Sequence, residues 1–376
     1  MNQVRLACVD EEHTVLAIKV KSEHEEAYFT RLTRELEKGQ YSEVFRNNQN
    51  DFTKFRKKWL VHLNKLRQTI PSKSNSVGLS TVLHIVSSLG YEDYASHFIK
   101  INTGIVDQAD GNGNTSLHLA TINGHLDTVK CLVGYSRNIH ILNNDKVSPF
   151  FYACERNEIL VVKYLVDLKG DLVKVNETYM TKEHKSVLHI ACLNGSTQIV
   201  QILIDHQSDV DILDKNGLIP LHLTCMNGQV DSASLLLIAR ANVNALDRLQ
   251  RTPLYYACTG NYKDIVKLLI EYKADINQST LTGSTPLHAA CEKDGIEIAT
   301  ILIENLSNVN VKEKTIESPL HIACRHGNER MVYLLIDHSA LVNSQTKDKV
   351  TPLHEACSNG HQNVVNILLK KNVNYK

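Results

Sequence analysis

A four-residue phrase returns along this chain at almost constant intervals, and no other feature constrains the fold as tightly. It reads Thr81-Val82-Leu83-His84, Thr115-Ser116-Leu117-His118, Ser148-Pro149-Phe150-Phe151, Ser186-Val187-Leu188-His189 and Ile219-Pro220-Leu221-His222. It continues as Thr252-Pro253-Leu254-Tyr255, Thr285-Pro286-Leu287-His288, Ser318-Pro319-Leu320-His321 and Thr351-Pro352-Leu353-His354. The spacings are 34, 33 and 38, then 33 five times. A strict period of this length marks one supersecondary unit that is copied and stacked. Such a unit is too small to bury its own apolar face, so its stability must come from its neighbours.

Each position of the phrase has a physical task. Thr or Ser caps a helix by accepting backbone N–H bonds. Proline follows at the first helical position, where its missing N–H costs nothing. Six of the seven prolines sit there, Pro71 being the exception. Nine residues after the cap comes Gly90, Gly124, Gly195, Gly228, Gly327 or Gly360, with Asn157, Asn261 and Asp294 in the other copies. These residue types tolerate positive φ, so the first helix is predicted to end at this point each time. A second apolar helix follows, such as Ile265 to Ile270, and then a polar turn with a recurring Asn at 244, 277, 310 and 343.

With Leu, His, Ala and Gly in register, the phrase resembles the ankyrin repeat over roughly residues 77–376. The resemblance implies an all-α ankyrin-repeat solenoid of helix pairs joined by hairpin fingers. Nine repeats (77–376) are then preceded by a helical N-terminal segment (1–76). Ile219 departs from the pattern at a cap, and Phe151 and Tyr255 depart at the His. The aromatic doublets Phe151-Tyr152 and Tyr255-Tyr256 are expected to pack inside.

Seven of the nine cysteines are one repeated position, six residues after the cap: Cys154, Cys192, Cys225, Cys258, Cys291, Cys324 and Cys357. Cysteine is a small, easily buried residue. Copies one repeat apart should lie about 8–10 Å from each other, too far for a disulfide. His189 and Cys192 stand three residues apart on one helix face, the arrangement of a nucleophile and its base. A catalytic pair is not copied five times at repeat intervals, so the expected role is structural. There is no Cys-x-x-Cys zinc spacing, phosphate-binding glycine loop or nucleophile elbow. The chain is read as a non-enzyme without cofactor or metal.

In ankyrin repeats partners dock on the concave face, on the fingers and on the two residues before the helix-ending Gly. Carried over, that rule selects Leu193 and Met226 on helices and Lys182, Lys185, Lys215, Arg248, Leu249 and Arg251 on fingers. Leu281, Lys314 and Lys347 are further finger residues. Apolar anchors with a basic fringe suit an extended partner segment carrying hydrophobic and acidic residues. The five extra residues around 174–185 are expected to lengthen one finger.

Before the repeats, Phe52, Phe55, Trp59, Leu63 and Leu66 form one apolar helical stripe. The same helix is basic (Lys54, Arg56, Lys57, Lys58, Lys65, Arg67), with no acidic residue from Phe52 to Lys73. It is expected to cap the first repeat, and over 52–70 it can also contact calmodulin-like grooves or anionic lipid. At the other end Val364, Val365, Ile367, Leu368 and Leu369 read like an internal helix. The chain is therefore expected to be a piece of a longer polypeptide or a stack whose end meets another subunit, and otherwise a monomer.

Lys plus Arg equals Asp plus Glu, 41 against 41, which gives no reason to expect nucleic acid as partner. No apolar run is long enough for a membrane span. Asp10, Glu11 and Glu12 fall where a signal peptide needs apolar residues, so a cytoplasmic location is expected. The function read from this is a scaffold or adaptor for other proteins. The alternative is the regulatory ankyrin module of a larger signalling enzyme or ion channel.

Overall fold

The computed structural model describes residues 76–168, 175–176, 184–311 and 317–372. The N-terminal basic helix, with Lys54, Arg56, Lys57, Lys58 and Trp59, and most of the lengthened finger, with Lys182, lie outside these residues. The described residues are all-α and fall into two compact units that divide near residue 175.

In the first unit, α1 (Ser76–Ser88), α3 (Ser116–Ile122) and α5 (Pro149–Glu155) pack side by side in one row. Behind them α2 (Glu92–Ile101), α4 (Leu126–Tyr135) and α6 (Ile159–Val166) form a second row. The second unit repeats the scheme. Its first row is α7 (Val187–Leu193), α9 (Pro220–Asn227), α11 (Pro253–Thr259), α13 (Pro286–Glu292), α15 (Pro319–Arg325) and α17 (Pro352–Ser358). Its second row is α8 (Thr197–Asp205), α10 (Val230–Ile238), α12 (Lys263–Glu271), α14 (Ile296–Glu304), α16 (Glu329–Asp337) and α18 (Gln362–Asn372). Leucines of the repeated phrase such as Leu221, Leu254, Leu287 and Leu320 are fully buried between the rows. Burial of one such side chain contributes roughly 1.5–3 kcal/mol.

The phrase starts the first helices as read, with one correction. Proline occupies the first turn of α5, α9, α11, α13, α15 and α17. Thr81, however, lies inside α1, which begins at Ser76. Val82 in place of proline keeps a backbone N–H that permits a helix extending backwards, whereas Ser116 and Val187, also without proline, begin their helices at the phrase.

The histidine completes each cap and ties it to the next repeat. In His118, His189, His288 and His321, Nδ1 accepts the backbone N–H of the capping residue at 3.0–3.2 Å and its hydroxyl at 2.8–2.9 Å. The proton therefore sits on Nε2, which donates to a carbonyl 29 residues on: Val147, Leu218, Glu317 and Val350 respectively. Ile219 has no hydroxyl to offer. There His222 Nδ1 keeps only the backbone N–H, at 3.1 Å, while the Ile219 side chain is buried. Tyr255 reaches across the same interval, its hydroxyl donating to Ser284 Oγ at 3.5 Å. Phe151 and Tyr256 are buried as expected, and Tyr152 is half-buried.

All nine residues that end the first helices, glycine or not, adopt positive φ between 55° and 76°. Two further left-handed positions recur in the repeat. One lies in the finger, at Gly113, Lys146, His184, Gly217, Gln250, Gly283 and Lys349. The other follows the second helix, at Gln207, Arg240, Lys273, Leu306 and Ser339. Glycine at the helix end also makes room. A Cβ on Gly228 would stand 2.6 Å from the Tyr262 ring of the next repeat. Where Asn261 takes the glycine's place, the next repeat answers with Gly295, whose own Cβ would meet Asn261 Oδ1 at 2.8 Å.

The recurring asparagines bridge successive turns. Asn244, Asn277 and Asn310 each accept an N–H through Oδ1, from Asp275, Asn308 and Leu341, at 2.7–2.9 Å. Each also donates through Nδ2 to the carbonyl of Lys273, Leu306 or Ser339.

Two measurements check this account. Leu306 is 85% exposed with φ 71°, and a left-handed β-carbon costs about 1–2 kcal/mol. Leu306→Gly is expected to raise the urea midpoint by about 1 kcal/mol of stability. Burial holds the His118 and His288 pKa values down at about 4, against about 6.5 in the unfolded chain. The unfolded state binds more protons between these values, so this contribution is intact above pH 6.5 and is lost as pH falls toward 4. Stability should decline over that window by up to about 1.4 kcal/mol per pH unit for each such histidine. His118→Gln should flatten the slope in urea titrations of the first unit.

Candidate protein-binding surface

Each finger that lies wholly within the described residues is a short hairpin organised by one polar residue five positions before the cap. Asp214 accepts the N–H groups of Asn216 and Leu218 through Oδ1, at 2.7 and 2.9 Å. Asp247 does the same for Leu249 and Arg251, at 2.9 and 2.7 Å, and Thr280 Oγ1 accepts from Ser284 at 3.2 Å. The hairpin closes with a backbone bond such as Asp247 N–H to Arg251 O, 3.1 Å. Adjacent fingers of the second unit then bond tip to tip. Arg248 N–H donates to Asn216 O at 3.1 Å, and Leu281 N–H to Leu249 O at 2.9 Å.

Three of the sequence-selected residues meet on this surface. Lys215 and Arg248 are exposed, and Leu249 is 50% exposed. Neither cation has an ion-pair partner among the described residues. Leu193 and Met226, at the ends of α7 and α9, are half-buried.

Two expectations are corrected. Lys185 is buried, and so is not part of an exposed fringe. Arg251 is tied down. Its Nη2 lies 2.7 Å from Asp247 Oδ2 and its Nε donates to the same oxygen at 2.8 Å. The guanidinium also stacks 4.7 Å from the centre of the Tyr256 ring, whose hydroxyl donates to Asp247 at 2.8 Å. Burial pushes the Asp247 carboxyl up, but the bonds from Arg251 and Tyr256 outweigh it and hold the pKa below the usual range. Arg325, at another helix end, is likewise engaged, 2.5 Å from Glu317 and 3.2 Å from Glu355.

Leu213 and Leu246, 58% and 44% exposed, were not selected from the sequence. They occupy the same finger position one repeat apart. The available signal was alternation: Ala245, just before Leu246, is buried, and Asp247, just after it, is buried too. Leu249 and Leu281 are exposed as well, so three successive fingers each carry an exposed leucine, and the first two also carry Lys215 and Arg248.

Among the described residues the repeated histidines and cysteines are taken up by the frame. Both ring nitrogens of His189 are held, by Ser186 and by Leu218 O. Cys154, Cys192, Cys225, Cys258, Cys291 and Cys324 are buried, and burial drives these thiols far from ionisation. Cys357, also expected to be buried, is exposed, because no following repeat covers it among the described residues. Among the described residues no three His, Cys, Asp or Glu side chains gather as a metal site requires. None of the described helices is long and apolar enough to cross a membrane.

Arg251 and Arg248 should therefore behave differently when truncated. Arg251→Ala leaves Asp247 buried without its cation and is expected to cost about 2 kcal/mol, less than the full penalty for a deeply buried pair. Arg248→Ala should change stability by less than about 0.5 kcal/mol. Urea denaturation of the two variants side by side checks this.

The comparisons agree with this geometry. The family description "Ankyrin repeats (3 copies)" matches residues 59–145, 83–176, 150–247, 221–315 and 306–376. The chain is 29% identical over 115 residues to ankyrin repeat protein nuc-2 of Neurospora crassa, covering 30% of this chain and 10% of that protein. It is 30% identical over 113 residues to the human transient receptor potential cation channel subfamily A member 1, covering 30% and 10%. It is also 30% identical over 113 residues to the nuclear factor NF-kappa-B p105 subunit of Gallus gallus, covering 28% and 11%. The chain thus spans about a tenth of the length of these relatives. From residue 59 to 376 the matches run without a gap, and the chain belongs to the ankyrin-repeat family.

Proposed function

We propose that this chain is a non-catalytic scaffold or adaptor that holds partner proteins on the fingers of its second unit. One observation carries the reading. The regular residues of the repeat are consumed in the interior, whereas Leu213, Leu246, Leu249 and Leu281 are exposed on fingers that also carry Lys215 and Arg248, which have no ion-pair partner among the described residues. Exposed apolar side chains grouped on a surface mark interaction sites, and Arg is enriched at interface hot spots. Ankyrin repeats as a family are protein-interaction modules, which supports the class of partner. Unpaired buried thiols fit a reducing compartment, and we place the protein in the cytoplasm.

A second reading takes the chain as the regulatory ankyrin module of a larger signalling protein or channel. It is favoured by the relatives, whose matching segments are small parts of much longer proteins, one of them a cation channel.

Affinity purification of the wild type beside a Leu246→Glu, Leu249→Glu variant tests the surface. A set of partners lost from the variant, with its urea midpoint unchanged, is the expected result. Identical partner sets would place the working surface elsewhere.

A further inference from the structure

We propose that the finger surface of the second unit takes an extended acidic segment of a partner, with apolar residues spaced three apart. This rests on the reading that the fingers are the working surface, and it deepens that reading by assigning the partner's chemistry and register.

The charge argument comes first. The fingers' own acids cannot neutralise the tips, because Asp214 and Asp247 are buried and committed to backbone N–H groups and, for Asp247, to Arg251. Lys215 and Arg248 are therefore left as two solvent-facing cations beside the leucines, on neighbouring fingers that are bonded to each other. An acidic residue on the partner complements each.

Spacing sets the register. Stacked helices lie about 8–10 Å apart, so equivalent finger positions recur at about that interval. An extended chain advances about 3.3 Å per residue and meets an equivalent position every third residue. A helix advances about 1.5 Å per residue and would need anchors about seven apart. A helix about 10 Å wide also needs an apolar wall on its other flank. The ends of the first helices offer only the half-buried Leu193 and Met226, beside exposed Asn194, Asn227 and Glu292, and so do not supply a continuous one. Leu213 and Leu246 stand at equivalent positions 33 residues apart and take the apolar pair, while Leu249 and Leu281 are joined by a backbone bond between the second finger and the third. The segment is thus an apolar residue, two intervening positions of which one is Asp or Glu, and a second apolar residue.

Random dodecapeptides displayed on phage and panned against the whole chain test this. A counter-selection uses a Lys215→Glu, Arg248→Glu variant whose urea midpoint matches wild type. Enriched peptides are expected to carry the apolar pair at i and i+3 with an acidic neighbour. A synthetic representative should lose at least tenfold in affinity toward the variant by fluorescence anisotropy. Moving its apolar pair to i and i+2 should cost a similar factor, and exchanging its acidic residues for Lys should restore binding to the variant. Peptides with helical or seven-residue spacing that still depend on Lys215 and Arg248 would overturn the extended register and leave the surface standing. Peptides that bind both proteins equally would overturn the surface as well. Failure to enrich any sequence would overturn the proposed segment.

Discussion

In five of the nine repeats one histidine faces two ways, and the stacking of those copies depends on it. Nδ1 finishes the cap of its own helix, and Nε2 holds the carbonyl that closes the next finger. Both contacts lie in a dry interior, where an unmet donor or acceptor costs about 1–3 kcal/mol. The ring must be neutral to make both, and burial keeps it so. Tyr255 preserves the outward half of the link with a phenol. Phe151 carries no polar atom and supports its repeat by burial alone.

Side-chain volume adds a second level of pairing between neighbours. The Tyr262 ring lies where Gly228 has no Cβ, and Asn261 faces Gly295. Bulk on one side is matched by its absence on the other, so each repeat suits the particular neighbour it has. Capping, cross-repeat bonding and packing together occupy most regular positions of the unit. What remains for recognition is the irregular part, the finger positions whose side chains take no part in holding the stack. That division is why a shared frame says little about which partner is held.

The frame was largely legible before any coordinates. Cap, proline and left-handed residue recur in register, and each reports a local backbone requirement. The other left-handed positions were hidden because Lys146, Gln250, Arg240 and Leu306 fill them in place of glycine. Thr81 misled because a capping residue permits a helix start but does not stop a helix that begins upstream, here at Ser76. On the surface, Lys185 and Arg251 looked like free cations, since formal charge does not reveal where a guanidinium or ammonium comes to rest. Arg251 is held by an acid four residues earlier and a ring five residues later. Leu213 and Leu246 escaped notice because a finger is too short for its alternation to stand out.

The amino-acid sequence alone determined the size of the unit, where its first helices end, and which positions of the repeat carry the buried thiol and imidazole. Those properties follow from backbone sterics and apolar burial acting within about 33 residues. Only the tertiary structure decided which finger residues meet water. Their exposure depends on the finger one repeat away, on a carboxylate that claims one arginine and leaves another free, and on tip-to-tip bonds that bring Leu249 beside Leu281. Such contacts join residues far apart in the chain, and no local pattern encodes them.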